Sequence, residues 1–178
     1  MPNLFQAPTA RPSLNELNEH RRVFVGAARN GIGLFAARAF RPRRTIIKIT
    51  GRRVDAEVLW ERGGIFADNC FRFGPETYLD PGDGYGRHLN HSCEPNAGIR
   101  KVDNQLFLFA AAPITAGTEI VIDYSTILGD DDIWTMRCNC GCTTCRTRVR
   151  RFGSLPAPLK QRYVATGLVP AYIVRTLR

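Results

Sequence analysis

The chain has 178 residues, 44% of them hydrophobic, and 25 lysine plus arginine side chains against 16 acidic ones give a net charge of +9. That length suits one domain with short appendages and a sizeable core. No apolar run approaches the roughly 20 residues of a membrane-crossing helix and the N-terminus lacks the basic-then-apolar order of a secretory leader, so the expectation is a soluble, intracellular chain with no membrane partner.

Residues 1–21, with Pro2, Pro8 and Pro12 among many polar side chains, read as a loose arm with a short helical turn over Leu14 to Glu19. Strand signals at Val23 to Val25 and Leu34 to Ala37 flank a turn at Gly31-Ile32-Gly33. Thr45 to Thr50 is β-branched and ends at Gly51, which predicts a strand. Asp55 to Arg62 predicts two helical turns, with Asp55 as N-cap and Gly63-Gly64 as stop. Short strands follow at Asn69 to Phe73 and Thr77 to Leu79, then a loop over Pro81 to Gly86. Gln105 to Ala111 and Glu119 to Tyr124 are the clearest strands, separated by Pro113 and a turn at Ala116-Gly117. Arg146 to Arg151 is strongly basic, and Pro158 to Arg178 predicts two short helices divided around Gly167 and Pro170. Many short strands with few long amphipathic helices imply a mainly β domain.

Two segments carry chemistry. One is Arg87-His88-Leu89-Asn90-His91-Ser92-Cys93-Glu94-Pro95-Asn96, and the other packs Cys138, Cys140, Cys142 and Cys145 into eight residues. Such clustering in a reducing compartment favours metal, with disulfide or redox thiols and plain packing as the alternatives. Cys70 has no neighbouring ligand and reads as a small buried apolar residue. The basic surplus attracts polyanions, so nucleic-acid contact and a merely soluble basic surface both remain open.

The Asn90-His91-Ser92-Cys93 run, Pro95-Asn96, Glu119-Ile120-Val121-Ile122-Asp123-Tyr124 and the Cys138-x-Cys140-x4-Cys145 ending, preceded by Gly31-Ile32-Gly33-Leu34-Phe35, occur in the order found in SET-domain lysine methyltransferases, which the chain resembles. The resemblance implies a SET-domain fold of small curved sheets with a knot-like crossing, a zinc-bound post-SET tail and short C-terminal helices. It implies boundaries at 22–128 for the SET catalytic domain, 129–150 for the post-SET zinc-binding segment and 151–178 for a helical tail. It also implies methyl transfer from S-adenosylmethionine to a protein lysine on a chromatin-like or nucleoid basic protein. A catalytically weak module binding protein or nucleic acid is the alternative.

By the same resemblance Gly31, Ile32, Gly33, Leu34, Asn90 and His91 hold the cofactor, with Arg87 nearby. Tyr124 is the catalytic tyrosine, and Cys93, Cys138, Cys140 and Cys145 close around one structural zinc. Cys142 departs from that minimal set and could replace Cys140, since Cys142-x2-Cys145 is itself a ligand spacing. Asp123 is expected to fix local structure. Many relatives carry aromatic residues where this chain has Ile49, Thr77 and Ile122, which predicts a less aromatic lysine channel and more than one methyl per lysine. Tyr78 lies beside Thr77, and strand alternation points it the other way. Asp130, Asp131 and Asp132 read either as a wet loop or as an acidic groove for a basic substrate.

Overall fold

A computed structural model describes residues 19–175 and 177; the helical turn expected over 14–19 lies almost wholly outside them. Among the described residues the architecture is five small sheets and a few short helices. Strands β1 (Val23–Ala28) and β2 (Gly31–Ala36) form an antiparallel hairpin. Its turn falls at Arg29-Asn30, and Gly31-Ile32-Gly33 belongs to the second strand. Position 33 has no space for a side chain: a Cβ there would stand 2.5 Å from Glu119 Oε1 and 2.8 Å from Ala28 Cβ.

The first three-stranded sheet runs β3 (Thr45–Ile49), β9 (Gln105–Ala110), β8 (Ala97–Val102). In β9 the alternation explains the unbroken apolar run. Leu106, Leu108 and Ala110 face the main core, while Phe109 faces a second core made with the tail. A strand covered on both sides loses the polar half of its pattern. Strand β8, whose Arg100-Lys101 hides its apolar start, is not evident from sequence.

The second sheet runs β4 (Arg52–Asp55), β6 (Thr77–Asp80), β5 (Phe71–Arg72). Between β4 and β5 stand helices α1 (Ala56–Arg62) and α2 (Gly64–Asn69). Asp55 occupies the N-cap of α1 without a side-chain hydrogen bond, and Gly63 ends the helix. Gly64 does not stop helical structure but opens α2, a second helix that the glycine pair conceals in the sequence.

Strands β7 (Asn90–His91) and β10 (Val121–Ile122) pair in parallel, Val121 against Asn90 and Ile122 against His91. The strand expected over Glu119 to Tyr124 is thus shorter: Glu119 makes an isolated bridge to Phe35, and Tyr124 opens a 3-10 turn over Tyr124–Ile127. Strands β11 (Met136–Arg137) and β12 (Arg148–Val149) bracket the cysteine cluster. The tail forms α3 (Ala157–Thr166), ended by Gly167 in the left-handed conformation, and α4 (Ala171–Val174). Phe152, Leu155, Tyr163, Leu168, Val169 and Ile173 bury against Phe109, each side chain contributing about 1.5–3 kcal/mol of hydrophobic stabilisation. The tail is therefore built into the fold. Among the described residues no helix is long and apolar enough to cross a membrane.

Candidate active site and metal centre

The β7–β10 pairing positions the motif residues. Asn96 Nδ2 donates to the Glu119 carbonyl at 2.8 Å and its Oδ1 accepts from Val121 N at 2.9 Å, so the Pro95-Asn96 turn pins β10 in place. Asn90 Nδ2 donates to Glu119 Oε1 at 2.7 Å and to the Ile32 carbonyl at 3.2 Å, joining the hairpin to the same strand. The need for glycine at position 33 follows from this joint, because a side chain there would strike Glu119 and Asn90.

Asp123 is buried and accepts from Ser125 N at 3.0 Å, Arg146 Nη2 at 2.7 Å and the Tyr163 hydroxyl at 2.9 Å. It organises the turn that presents Tyr124, as expected for a structural residue. Tyr124 donates its hydroxyl to the Leu89 carbonyl at 2.5 Å and its backbone N–H to His91 Nδ1 at 3.2 Å. Burial, helped by the Glu119 and Asp68 carboxylates, pushes the phenol up to about 12. Burial also lowers His91 to about 4, against the pull of Asp123, so the imidazole is neutral at pH 7 and serves as an acceptor.

Two clefts meet at Tyr124. The larger, about 790 Å³, is walled by Leu59, Trp60, Phe71, Tyr78, Leu128 and Ile133. The smaller, about 580 Å³, is walled by Asn30, Ile32, His88, Asn90 and Met136. Asp68, Asn69, Arg87, Tyr124 and Trp134 line both. Of the residues expected around the cofactor, Ile32, Arg87 and Asn90 border the smaller cleft. Leu34 is buried in the main core, His91 lies behind Tyr124, and Gly31 and Gly33 shape the hairpin without lining the cleft. The amide N–H groups of Asn30, the guanidinium of Arg87 and the amide oxygen of Asn90 beside the apolar Ile32 and Met136 form a chemical set suited to a polar nucleoside with a charged amino-acid end.

The channel positions differ from expectation. Ile49 and Ile122 are buried in the core and Thr77 does not line the larger cleft. Tyr78 does, with its hydroxyl donating to Asp132 Oδ1 at 2.9 Å, and with Trp60, Phe71 and Trp134 it makes the wall of this cleft aromatic. Asp131 and Asp132 both grip the buried Arg72, at 2.6 and 2.7 Å, with Asp132 largely covered and Asp131 still exposed to solvent. Arg72 also donates to the Gly74 and Pro75 carbonyls, and the guanidinium is fixed in its charged form, the two carboxylates outweighing the burial that opposes it. Trp134, which no sequence motif singles out, donates Nε1 to Asp68 Oδ1 at 2.6 Å and lines both clefts. Cys70 is half-buried in the larger cleft, and burial pushes its thiol up to about 11.

The thiol that follows Ser92 does reach the distant cluster. Cys93 Sγ lies 3.8 Å from Cys138 Sγ, and ligand atoms of His91, Cys93, Cys138 and Cys140 all fall within 4.8 Å of one another. Tetrahedral zinc with sulfur at about 2.3 Å places neighbouring sulfurs roughly 3.8 Å apart. The donor set therefore fits. All six cysteines are free thiols, so the disulfide alternative is not realised. Burial raises the Cys140 thiol, but backbone hydrogen bonds from Cys93 and Cys142 outweigh it and bring it down to about 6, in the thiolate form that binds metal. Cys142 Sγ stands 3.4 Å from Cys140 and outside the tight group. Cys145 is outside that group, which His91 completes, although Cys145 makes a side-chain hydrogen bond with Cys138.

A family model described as SET domain matches residues 31–125. Histone-lysine N-methyltransferase 2D of Homo sapiens is 28% identical over 136 residues, covering 70% of this chain and 2% of that protein. An H3 lysine-4 specific histone-lysine N-methyltransferase of Cryptococcus neoformans var. neoformans serotype D (strain B-3501A) is 30% identical over 135 residues, covering 69% of this chain and 9% of that protein. The chain thus spans a small fraction of the curated relatives it matches. Among solved structures, that of KRYPTONITE in complex with mCHH DNA, H3(1-15) peptide and SAH superposes with a TM-score of 0.56 at 23% identity, covering 72% of this chain and 29% of that one. The family match covers more than half of the chain, from the hairpin glycine to the turn after Tyr124, and by it the chain belongs to the SET-domain family.

Proposed function

We propose that this chain is a protein-lysine methyltransferase that takes its methyl group from S-adenosylmethionine and acts on a basic chromatin-like or nucleoid protein. The observation that carries the reading is the meeting of two clefts of different character on one tyrosine. The smaller, polar cleft takes the cofactor and the larger, apolar one takes the lysine. When bound, S-adenosylmethionine supplies an electrophilic methyl carbon on a sulfonium, which only a neutral amine can accept.

Neutralising a free lysine at pH 7 costs roughly 4–5 kcal/mol. The apolar wall of Leu59, Phe71 and Leu128 disfavours an ammonium and supplies part of this by desolvation. Tyr124, with its phenol pushed up to about 12, remains protonated and is no general base. It orients the amine and offers oxygen lone pairs to charge developing at the transfer. His91 holds the Tyr124 backbone through its Nδ1.

One structural zinc on Cys93, Cys138, Cys140 and Cys145 would fasten the post-SET segment beside β7, its shell closed to catalysis. Cysteines kept as thiolates suit the cytoplasm, nucleoid or nucleus. The arginine-rich surface, part of the +9 balance, supports contact with the nucleic acid that carries a basic substrate.

Calorimetric titration with S-adenosylmethionine tests the reading, followed by mass spectrometry of host-cell extract treated with labelled cofactor. Binding with label on protein lysine is expected. A chain that binds no cofactor would instead be a SET-like binding module.

A further inference from the structure

The larger cleft offers more room than a lysine side chain needs. At about 790 Å³ it lies in the range, roughly 300–1,000 Å³, that accommodates a whole drug-sized ligand. Among the described residues the three most exposed large hydrophobic side chains are Ile133 at 96%, Ile65 at 80% and Trp60 at 73%. Trp60 and Ile133 line this cleft, and Ile65 stands on α2, which supplies part of its wall. Single exposed apolar residues are ordinary, but a group of them around one opening marks a place where something docks.

Ile133 is not exposed because its loop is loose. The residue before it, Asp132, is held by Arg72 and Tyr78, and the residue after it, Trp134, is held by Asp68. The isoleucine is presented between two anchored neighbours. The same opening carries Asp68, Glu76, Asp131 and Asp132 against Arg72 and Arg87, an excess of two carboxylates on a chain of net charge +9. A mouth of that sign selects a cationic segment, and its apolar rim selects what stands beside the charge.

We propose that the substrate lysine is flanked by a large apolar side chain, aliphatic or aromatic, which packs against Trp60 and Ile133 when the amine reaches Tyr124. This rests on the methyl-transfer reading and adds to it the identity of the neighbour. A peptide whose lysine stands among small polar residues leaves Trp60 and Ile133 wet and forgoes their burial.

The test compares two peptides of equal charge with one central lysine, flanked on both sides by leucine in one and by serine in the other. Affinity for the full chain is read by fluorescence anisotropy. Emission of Trp60 and Trp134 gives a second readout, since these are the only tryptophans of the chain and both line the cleft. The leucine peptide should bind at least tenfold more tightly, and the double variant Trp60→Ala, Ile133→Ser should reduce that ratio below threefold. Ratios within twofold in the parent protein, a ratio that survives the double variant, or no binding of either peptide would each overturn the proposal. Because affinity is the readout, the result does not depend on turnover. Binding with the expected ratio but no methyl transfer would remove the enzymatic reading and leave the docking preference standing.

Discussion

The Tyr163 hydroxyl donates to Asp123 Oδ2 at 2.9 Å across 40 residues of chain, and so ties helix α3 to the residue immediately before Tyr124. Both partners are buried. Tyr163→Phe leaves Asp123 with Arg146 and Ser125 N but removes one donor from a buried charge, a change worth about 1.5–3 kcal/mol. In a domain of this size that lowers the melting temperature by roughly 3–12 °C. An unchanged calorimetric melt would show that the tail is not coupled to the site through this contact.

Tyr124→Phe keeps the ring beside His91 and Trp134 and removes only the hydroxyl on Leu89. Cofactor affinity should stay within a few-fold while kcat falls on the order of 100-fold or more, because orientation at the transition state is lost. Single-turnover kinetics with saturating cofactor measures this. A loss confined to KM would place the hydroxyl in binding alone.

Zinc content, measured by elemental mass spectrometry on purified protein, should drop sharply in Cys93→Ser and Cys138→Ser and remain in Cys142→Ser. The fourth ligand is decided by comparing Cys145→Ser with His91→Gln. His91 Nδ1 is occupied by the Tyr124 N–H, and Nε2 lies 3.4 Å from Cys93 Sγ, where it can donate to a metal-bound thiolate. Loss of metal in Cys145→Ser and its retention in His91→Gln is therefore expected, and the reverse result would assign the place to His91.

The Cys70 thiol, pushed up to about 11 by burial and then by Asp80, is protonated at neutral pH. Since the thiolate is the reactive form, only about one molecule in a thousand is reactive at pH 8. Alkylation by iodoacetamide, followed by peptide mass spectrometry, should rise about tenfold per pH unit from 8 to 10. A plateau below pH 9 would indicate an ordinary thiol.

Ile122 sits in the main core against His91 and does not line the larger cleft. Ile122→Tyr should therefore overpack the interior, costing about 1–3 kcal/mol, and appear as a lowered melting temperature. Normal stability with an altered methylation number would return this residue to the channel.

The cysteine cluster and its partner after Asn90-His91-Ser92 were legible in the sequence because soft ligands at such spacing have few other uses. Strands β3 and β9 were legible through their β-branched and apolar runs, and the tail helices through Gly167 and Pro170. Strand β8 was not, since Arg100 and Lys101 mask its buried start. The direction of Tyr78 was misread because β6 is flanked by β4 and β5 and buries both Tyr78 and Leu79, so simple alternation does not identify the cleft face. Arg72 and Trp134 escaped notice for another reason. Their importance lies in partners 59 and 66 residues away, Asp131 and Asp68, which no local pattern announces.

The parallel pairing of β7 with β10 has a consequence for biogenesis. Asn90 and His91 can pair with Val121 and Ile122 only once those residues have been made, with the β8–β9 hairpin lying between them in the chain. A ribosome-bound fragment ending before residue 121 thus lacks β10 and the turn that carries Tyr124, and non-local pairings of this kind form slowly. A nascent chain therefore gains the Tyr124 contacts to Leu89 and His91 only once residue 124 has been made.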